Sequence, residues 1–298
     1  MDGLVSHNAA KPKASGAADH AAADAASDTS GWRASLDVGF VAGNERTQLS
    51  GRRHSGPLRV QRPFYPEGFP CHAYVLHPPG GIVGGDQLAI SVDVEAGAHA
   101  LVTTPAANKF YRSAGPWAVQ RQHLRVADRA TLEWLPQEQI AFQAAQADTL
   151  TSVDLAPQAR FLGWELTCLG RPAAGEGFER GVMRNRLELR RGGRPLLLER
   201  NRIDGGSPVL DQPWGLGGYP AMATLVAVGA SVGERDALRE WLAGSDSPCA
   251  VTLLDDVLVL RWLGSGAQEG LGVLERAWSL LRPRLLGREP SPPRIWRT

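Results

Sequence analysis

The residues most suggestive of chemistry form one run, His77-Pro78-Pro79-Gly80-Gly81-Ile82-Val83-Gly84-Gly85-Asp86. Closely spaced glycines let backbone amides approach an anion, so the run invites a phosphate-binding interpretation. Its neighbours do not fit one. A Walker-type loop needs a lysine and a hydroxyl residue after its last glycine, and here Asp86 and Gln87 follow. A dinucleotide-binding turn opens into a helix, whereas Leu88, Ile90, Val92 and Val94 alternate with Ala89, Ser91, Asp93 and Glu95 in the period of a strand. Paired glycines around Ile82 and Val83 instead suit a rigid turn, through positive backbone dihedrals or close chain packing.

Histidines offer a second chemistry. His72, His77, His99 and His123 could ligate a borderline metal if folding brought them together. His72 and His77 are an odd number of residues apart and face opposite sides of any one straight strand, which argues against a local clip. No HExxH motif is present. Cys71 adjoins His72, but adjacency does not give a nucleophile its base. Asp255-Asp256 is read as a turn or a binding edge, because neighbouring strand side chains point apart.

Two stretches suit surfaces. Thr103 to Arg112 could present Phe110 and Tyr111 as interface anchors framed by Lys109 and Arg112, or could turn the aromatics into the core. Seven arginines between Arg184 and Arg202, against Glu188 and Glu199, would suit an arginine- and aromatic-rich β module that binds a sugar or a polyanion.

The elements that must position these residues are mostly strands. A local pattern recurs: Val92-Asp93-Val94 then Ala98, Leu124-Arg125-Val126 then Ala130, Val153-Asp154-Leu155 then Ala159. Each unit ends one strand, turns and opens another, at intervals compatible with successive layers of a stacked β architecture. Arg190 to Arg194 reads as a hairpin with a glycine turn, and Gly205 to Pro220 as a long loop, mobile or functional. Helical spacing is confined to the end of the chain: a short helix over Glu234–Ala243, and a longer one through Leu271, Leu274, Trp278, Leu281 and Leu285 that Pro283 should bend or end.

Bulk properties set the frame. The chain has 298 residues, of which 43% are hydrophobic and 21% charged, as in a folded soluble protein. Its formal net charge of +1 gives no general attraction for a nucleic-acid backbone. Three scattered cysteines fit neither a disulfide framework nor a thiolate zinc site and point to a reducing compartment. No apolar stretch is long enough to span a bilayer. Residues 1–30, without aromatics and nearly without large aliphatics, are expected to be a disordered extension, with a single domain over 31–298.

An ordered series of segments carries a family resemblance: GPLRVQRPFYPEG from Gly56, HAYVLHPPGGIVGGD from His72, TTPAANKFYRS from Thr103, LEWLPQEQIAFQAA from Leu132, then RPRLLG and PPRIW near the end. The chain from Trp32 to Trp296 resembles the UreD (UreH) family of urease accessory proteins. The resemblance implies a mainly β fold, a stacked β-sheet or β-helix-like scaffold with a small C-terminal helical element. It implies a cytoplasmic protein without catalysis of its own. Such a protein would join urease apoprotein to a UreF-like accessory protein and, through the complex, to a UreG-like GTPase. No cofactor would be tightly bound, with nickel only in transit through an internal passage. On this basis Asp86, Glu133 and Glu138 are the expected carboxylates of a hydrated-nickel route, since hard oxygen ligands can pass a dication without caging it. His77, Gly80, Gly81, Gly84, Gly85, Lys109, Phe110, Tyr111 and Arg112 are the expected partner-docking residues.

Overall fold

The recurring strand–turn–strand units stack in register. A computed structural model describes residues 31–297. In it Val92 pairs with Leu124 and Leu124 with Val153, so the three units seen in the sequence occupy equivalent places in successive parallel strands. The expectation for residues 1–30 lies outside the described residues.

After each unit the chain crosses to a second sheet and returns. The first sheet has seven strands: β1 (Arg33–Ala42), β2 (Thr47–Ser55), β5 (Gln87–Val94), β8 (Ala118–Val126), β11 (Gln146–Leu155), β13 (Val182–Arg191) and β14 (Arg194–Asp204). Their order across it is β14-β13-β11-β8-β5-β1-β2. The second has ten: β3 (Arg59–Val60), β4 (Cys71–Leu76), β6 (His99–Thr103), β7 (Asn108–Phe110), β9 (Thr131–Leu135), β10 (Gln139–Ala141), β12 (Arg160–Leu169), β15 (Ala221–Val228), β16 (Cys249–Leu254) and β17 (Val257–Gly264). Its main path is β16-β17-β15-β12-β9-β6-β4-β3, with β7 and β10 paired beside β12. The coils from β4 to β13 are parallel within each sheet, and hairpins close the ends. The fold is therefore a two-sheet stacked scaffold.

Alternation within each strand sends one face between the sheets and the other outward. Val38, Val92, Leu124, Val153 and Leu189 form one apolar row, in a cluster with Leu132, Phe161, Val228 and Val257 of the second sheet. The opposite face of the second sheet would lie open without the C-terminal helices. α1 (Val232–Leu242) starts at Ser231 with a capping box to Glu234 and buries Leu238 and Leu242. α2 (Ala267–Leu286) buries Leu274, Trp278, Leu281 and Leu285 against Leu162, Trp164, Leu166 and Leu260.

Pro283 neither ends α2 nor stops its last turn. The helix runs to Leu286, where Gly287 takes a left-handed cap and donates to the Pro283 carbonyl at 3.1 Å. Buried Arg282 and Leu285 on either side hold that turn in place despite the lost amide. The expected hairpin is present, with Gly192 and Gly193 both at positive φ (55° and 78°), as a tight strand-twist-matched turn requires. Residues 205–220 form an ordered chain of turns closed by their own backbone bonds, among them Gly218 N–H to the Leu210 carbonyl at 2.7 Å.

A polar layer between the sheets as the candidate functional site

The glycine run forms a locked turn. Ile82 N–H donates to the Lys109 carbonyl at 2.7 Å and Tyr111 N–H to the Ile82 carbonyl at 3.0 Å, tying the run to the segment after β7. A Cβ on Gly81 would lie 2.1 Å from the Tyr111 ring, and Gly85 has φ +99°. These two glycines are therefore required by close approach and by backbone conformation. Asp86 closes the turn: its carboxylate accepts from Trp32 N–H at 2.8 Å and Val83 N–H at 3.0 Å.

Glu133 lies on the opposite side of the second sheet. It is fully buried and accepts from His99 Nε2 at 2.7 Å, Trp278 Nε1 at 2.6 Å and Arg282 Nε at 2.9 Å. Arg282, also fully buried, reaches on to Glu67 at 2.6 Å, and Glu67 in turn pairs with His72 at 2.7 Å. Burial works to raise the Glu133 pKa, but the bonds and charges of His99 and Arg282 outweigh it and hold the carboxyl at about 2. Burial likewise opposes ionisation of Glu67, and the bonds from His72 and Arg282 outweigh it and keep that carboxyl below its usual range. This network pins α2 to the sheet.

Glu138 is half-buried. Its main-chain carbonyl holds Asn108 N–H at 2.8 Å, and its carboxylate, near Cys168, has no hydrogen bond or ion pair among the described residues. Asp86, Glu133 and Glu138 thus occupy three separate settings. Among the described residues no group of three or more His, Cys, Asp or Glu is arranged to hold a metal. The four histidines also stay apart: His72 and His99 join the network around Arg282, His77 borders a cavity and His123 is exposed on the outer face. Cys71 has Tyr65 as its partner, at 3.7 Å, and burial pushes its thiol up to about 11, the reverse of an activated nucleophile.

The docking candidates divide. His77, Gly80 and Lys109 line a cavity of about 120 Å3, and Arg112 is exposed beside it in the chain. Tyr111 is half-buried and meets Phe142 edge-on. Phe110 is 0% exposed, so it packs in the core and is no surface anchor. Burial holds the His77 pKa below its usual value, against the opposing charge of Asp86.

What the motifs do not reveal is a polar layer inside the sandwich. Two neighbouring rows of the first sheet face inward. One is Ala34, Leu88, Gln120, Thr149, Asn185 and Asn201; the other is Leu36, Ile90, Gln122, Thr151, Leu187 and Glu199. Across the gap the second sheet presents Glu165, Thr224 and Arg261 in register, with Thr167 beside them. The sheets bond through this layer: Asn185 Nδ2 donates to Thr167 Oγ1 at 3.1 Å, and Thr151 Oγ1 bonds Gln122 at 2.7 Å and also Glu165. The same side-chain alternation elsewhere yields apolar contacts.

One end of the layer meets the first cavity, where Gln120 accepts from Asn108 Nδ2 at 2.6 Å. Glu199, Asn201, Thr224 and Arg261 line a second cavity of about 530 Å3 at the other end. Glu165 lies deep in the sandwich yet keeps accessible surface, so its side chain borders unfilled space. Burial, opposed by the Thr151 hydroxyl and reinforced by the negative charge of Glu199, pushes its pKa up to about 7. Amides, hydroxyls and two carboxylates form a lining suited to weak, successive oxygen contacts with a hard or borderline cation. A signal for it existed in the sequence: β8, β11, β13 and β14 carry Gln, Thr, Asn or Glu at inward positions where an apolar residue is expected.

The fold is a two-sheet stacked scaffold with a helical cover and a polar layer within an otherwise apolar interior. The family profile described as UreD urease accessory protein matches residues 33–297. A urease accessory protein UreD of Pseudomonas entomophila (strain L48) is 49% identical over 268 residues, covering 90% of this chain and 95% of that protein. One from Azoarcus sp. (strain BH72) is 49% identical over 271 residues, with the same coverage, and one from Citrobacter koseri is 46% identical over 272, covering 91% and 93%. The chain belongs to the UreD family of urease accessory proteins.

Proposed function

We propose that this chain serves urease maturation by joining urease apoprotein to a UreF-like protein and, through it, to a UreG-like GTPase, while nickel passes through its polar layer. The single observation that carries the passage is the pair of inward polar rows, which reach from the cavity beside His77 to the cavity beside Glu199. A hydrated dication moving along them would exchange waters for amide, hydroxyl and carboxylate oxygens without entering a closed cage. The proposed setting is the cytoplasm.

On this reading the route runs past Glu165 and Glu199. Asp86 anchors the first mouth through its two backbone amides. Glu133 anchors α2, because its oxygens are already filled by charged and indole donors. Glu138, with a carboxylate free of partners among the described residues, is the remaining candidate of the three for metal contact. His77, Gly80, Lys109 and Arg112 form the proposed docking rim, with Gly81, Gly84, Gly85 and Tyr111 holding its shape. Six of the seven arginines behind the sugar or polyanion reading, Arg184, Arg186, Arg190, Arg191, Arg200 and Arg202, lie within ion-pair distance of Asp148, Glu188, Asp256 or Asp204, which leaves that reading less support.

Expression of the cognate urease genes with and without this chain, at limiting nickel, tests the assignment. Activation and co-purification with apourease and the UreF-like protein should require the chain. Equal nickel content and activity in its absence would overturn the function.

A further inference from the structure

The main paths of the two sheets end at β2, β14, β3 and β16, and three of these ends are closed. β2 is bulged between Leu49 and Gly51, β3 is two residues long, and the Val251 carbonyl on β16 accepts from Arg239 Nε and Nη2 of α1 at 3.0 and 2.7 Å. Each device discourages a further strand. β14 has none of them along residues 197–204. Its register with β13 is unbroken there, and its other edge has no strand partner among the described residues. An antiparallel edge of that length leaves alternate N–H and C=O groups turned outward.

The outer face beside this edge carries a surplus of positive charge. Arg184 and Arg202 are direct partners across β13 and β14, as are Arg186 and Arg200, so four guanidinium groups stand in a block. Like charges opposed across strands cost stability within the chain. These four, with Arg121 and Arg190, share three carboxylates, Asp148, Glu188 and Asp204, in a chain whose formal net charge is only +1. The two on the edge strand face solvent most fully. Arg200 is 71% exposed and lies 3.9 Å from Glu188, which Arg190 holds at 2.7 Å; Arg202 is 57% exposed. Arg184 lies over the Trp117 ring at 4.1 Å, which fixes one corner of the block.

We propose that β14 accepts an added strand from a partner protein, an extended segment with Asp or Glu at alternate positions. Residues two apart in a strand point to the same side about 7 Å apart, so alternate carboxylates of the added strand meet Arg200 and Arg202 in turn. Main-chain bonds to the free edge supply affinity, and the arginines supply selectivity. A second copy of this chain fits poorly, because pairing β14 with its copy sets arginine beside arginine. Residues 1–30 hold no two acidic residues at alternate positions, so they do not supply the segment either. Glu199, Arg200 and Asn201 also line the cavity of about 530 Å3, so the added strand lies along that opening. This surface is separate from the rim beside His77, and the inference stands whether or not metal passes through the polar layer.

Fluorescence anisotropy of a labelled peptide of about ten residues, glutamate alternating with threonine, tests this on the full chain at about 0.15 M salt. The peptide should bind at least tenfold more tightly than its counterpart with glutamine in place of glutamate. Arg200→Glu combined with Arg202→Glu should weaken binding at least tenfold, with a melting curve like that of the unaltered chain. Methyl groups on alternate backbone nitrogens of the peptide block one edge of its strand, so one of the two methylation registers should abolish binding to the unaltered chain and the other should not. Equal binding by the plain peptide and both methylated forms would show charge attraction without strand pairing and overturn the inference. Failure of the glutamate peptide to bind would overturn it as well, as would tighter binding of a heparin oligosaccharide or self-association of the chain through the same two arginines.

Discussion

Arg282 and Glu133 are 149 residues apart in sequence and form a two-bonded ion pair, Nε to Oε2 at 2.9 Å and Nη2 to Oε1 at 3.0 Å, with both side chains withdrawn from solvent. Removing one member leaves the other charged, buried and unpaired. Arg282→Ala is therefore expected to destabilise the protein by about 3–5 kcal/mol. The double variant Glu133→Gln with Arg282→Met should lose less than either the sum or the single arginine change. Urea denaturation of the set distinguishes these outcomes.

The same pair sets the acid limit of stability. The Glu133 carboxyl is held at about 2, below its ordinary 4.5, so the folded state prefers it ionised. Its contribution is complete above about pH 4.5 and is lost as pH falls toward 2. Glu133→Gln should flatten the unfolding profile in that window. An unchanged acid slope would show that Glu133 does not carry it.

Glu165 has the opposite sign. Its folded pKa of about 7 lies above the ordinary 4.5, so stability declines as pH rises between these values and levels off beyond them. Glu165→Gln should remove that decline and make the chain more stable at pH 8 by on the order of 1–2 kcal/mol, less than the whole shift because the side chain keeps accessible surface. Thermal unfolding across pH 5 to 8 would register it as a roughly level profile. A buried carboxylate that costs stability is expected where function demands it.

Gly81 separates shape from docking chemistry. A methyl group there would lie 2.1 Å from the Tyr111 ring, so Gly81→Ala must displace the tyrosine. The expected cost is about 1–3 kcal/mol, with partner binding weakened through a distorted rim. Pairing Gly81→Ala with Tyr111→Ala should recover part of the loss in a melting experiment, since the ring is then absent.

Much of the scaffold is legible in the chain. Alternation from Leu88 to Val94 and the spaced Val92, Leu124 and Val153 units express a physical repeat, and in the structure these three residues pair across adjacent strands. The short helix expected from Glu234 and the three–four spacing through Leu274 and Trp278 likewise follow from local geometry, although the first helix starts two residues earlier, at Val232 behind the Ser231 cap. Pro283 shows where local rules yield: buried neighbours hold a turn that proline alone would break.

The site was less legible because its residues are made neighbours by stacking. Glu165 and Glu199 belong to different sheets, and neither stands in a motif. Asn185 was the available clue: it interrupts the inward stripe of Met183, Leu187 and Leu189, which only a polar partner such as Thr167 explains. Of the carboxylates chosen from the motif blocks, Asp86 accepts two backbone amides, Glu133 accepts from Trp278 and Arg282, and Glu138 sits near Cys168; a part for them in a metal route belongs to the proposal.

The most direct measurement is nickel per urease active site after activation at limiting nickel with Glu165→Gln in place of the unaltered chain. The side-chain shape is kept and the fold is expected to be more stable, so docking to apourease and the UreF-like protein should persist. The account predicts at least a tenfold fall in nickel incorporation with the complex intact. Full incorporation by Glu165→Gln would contradict passage of the metal through the layer between the sheets.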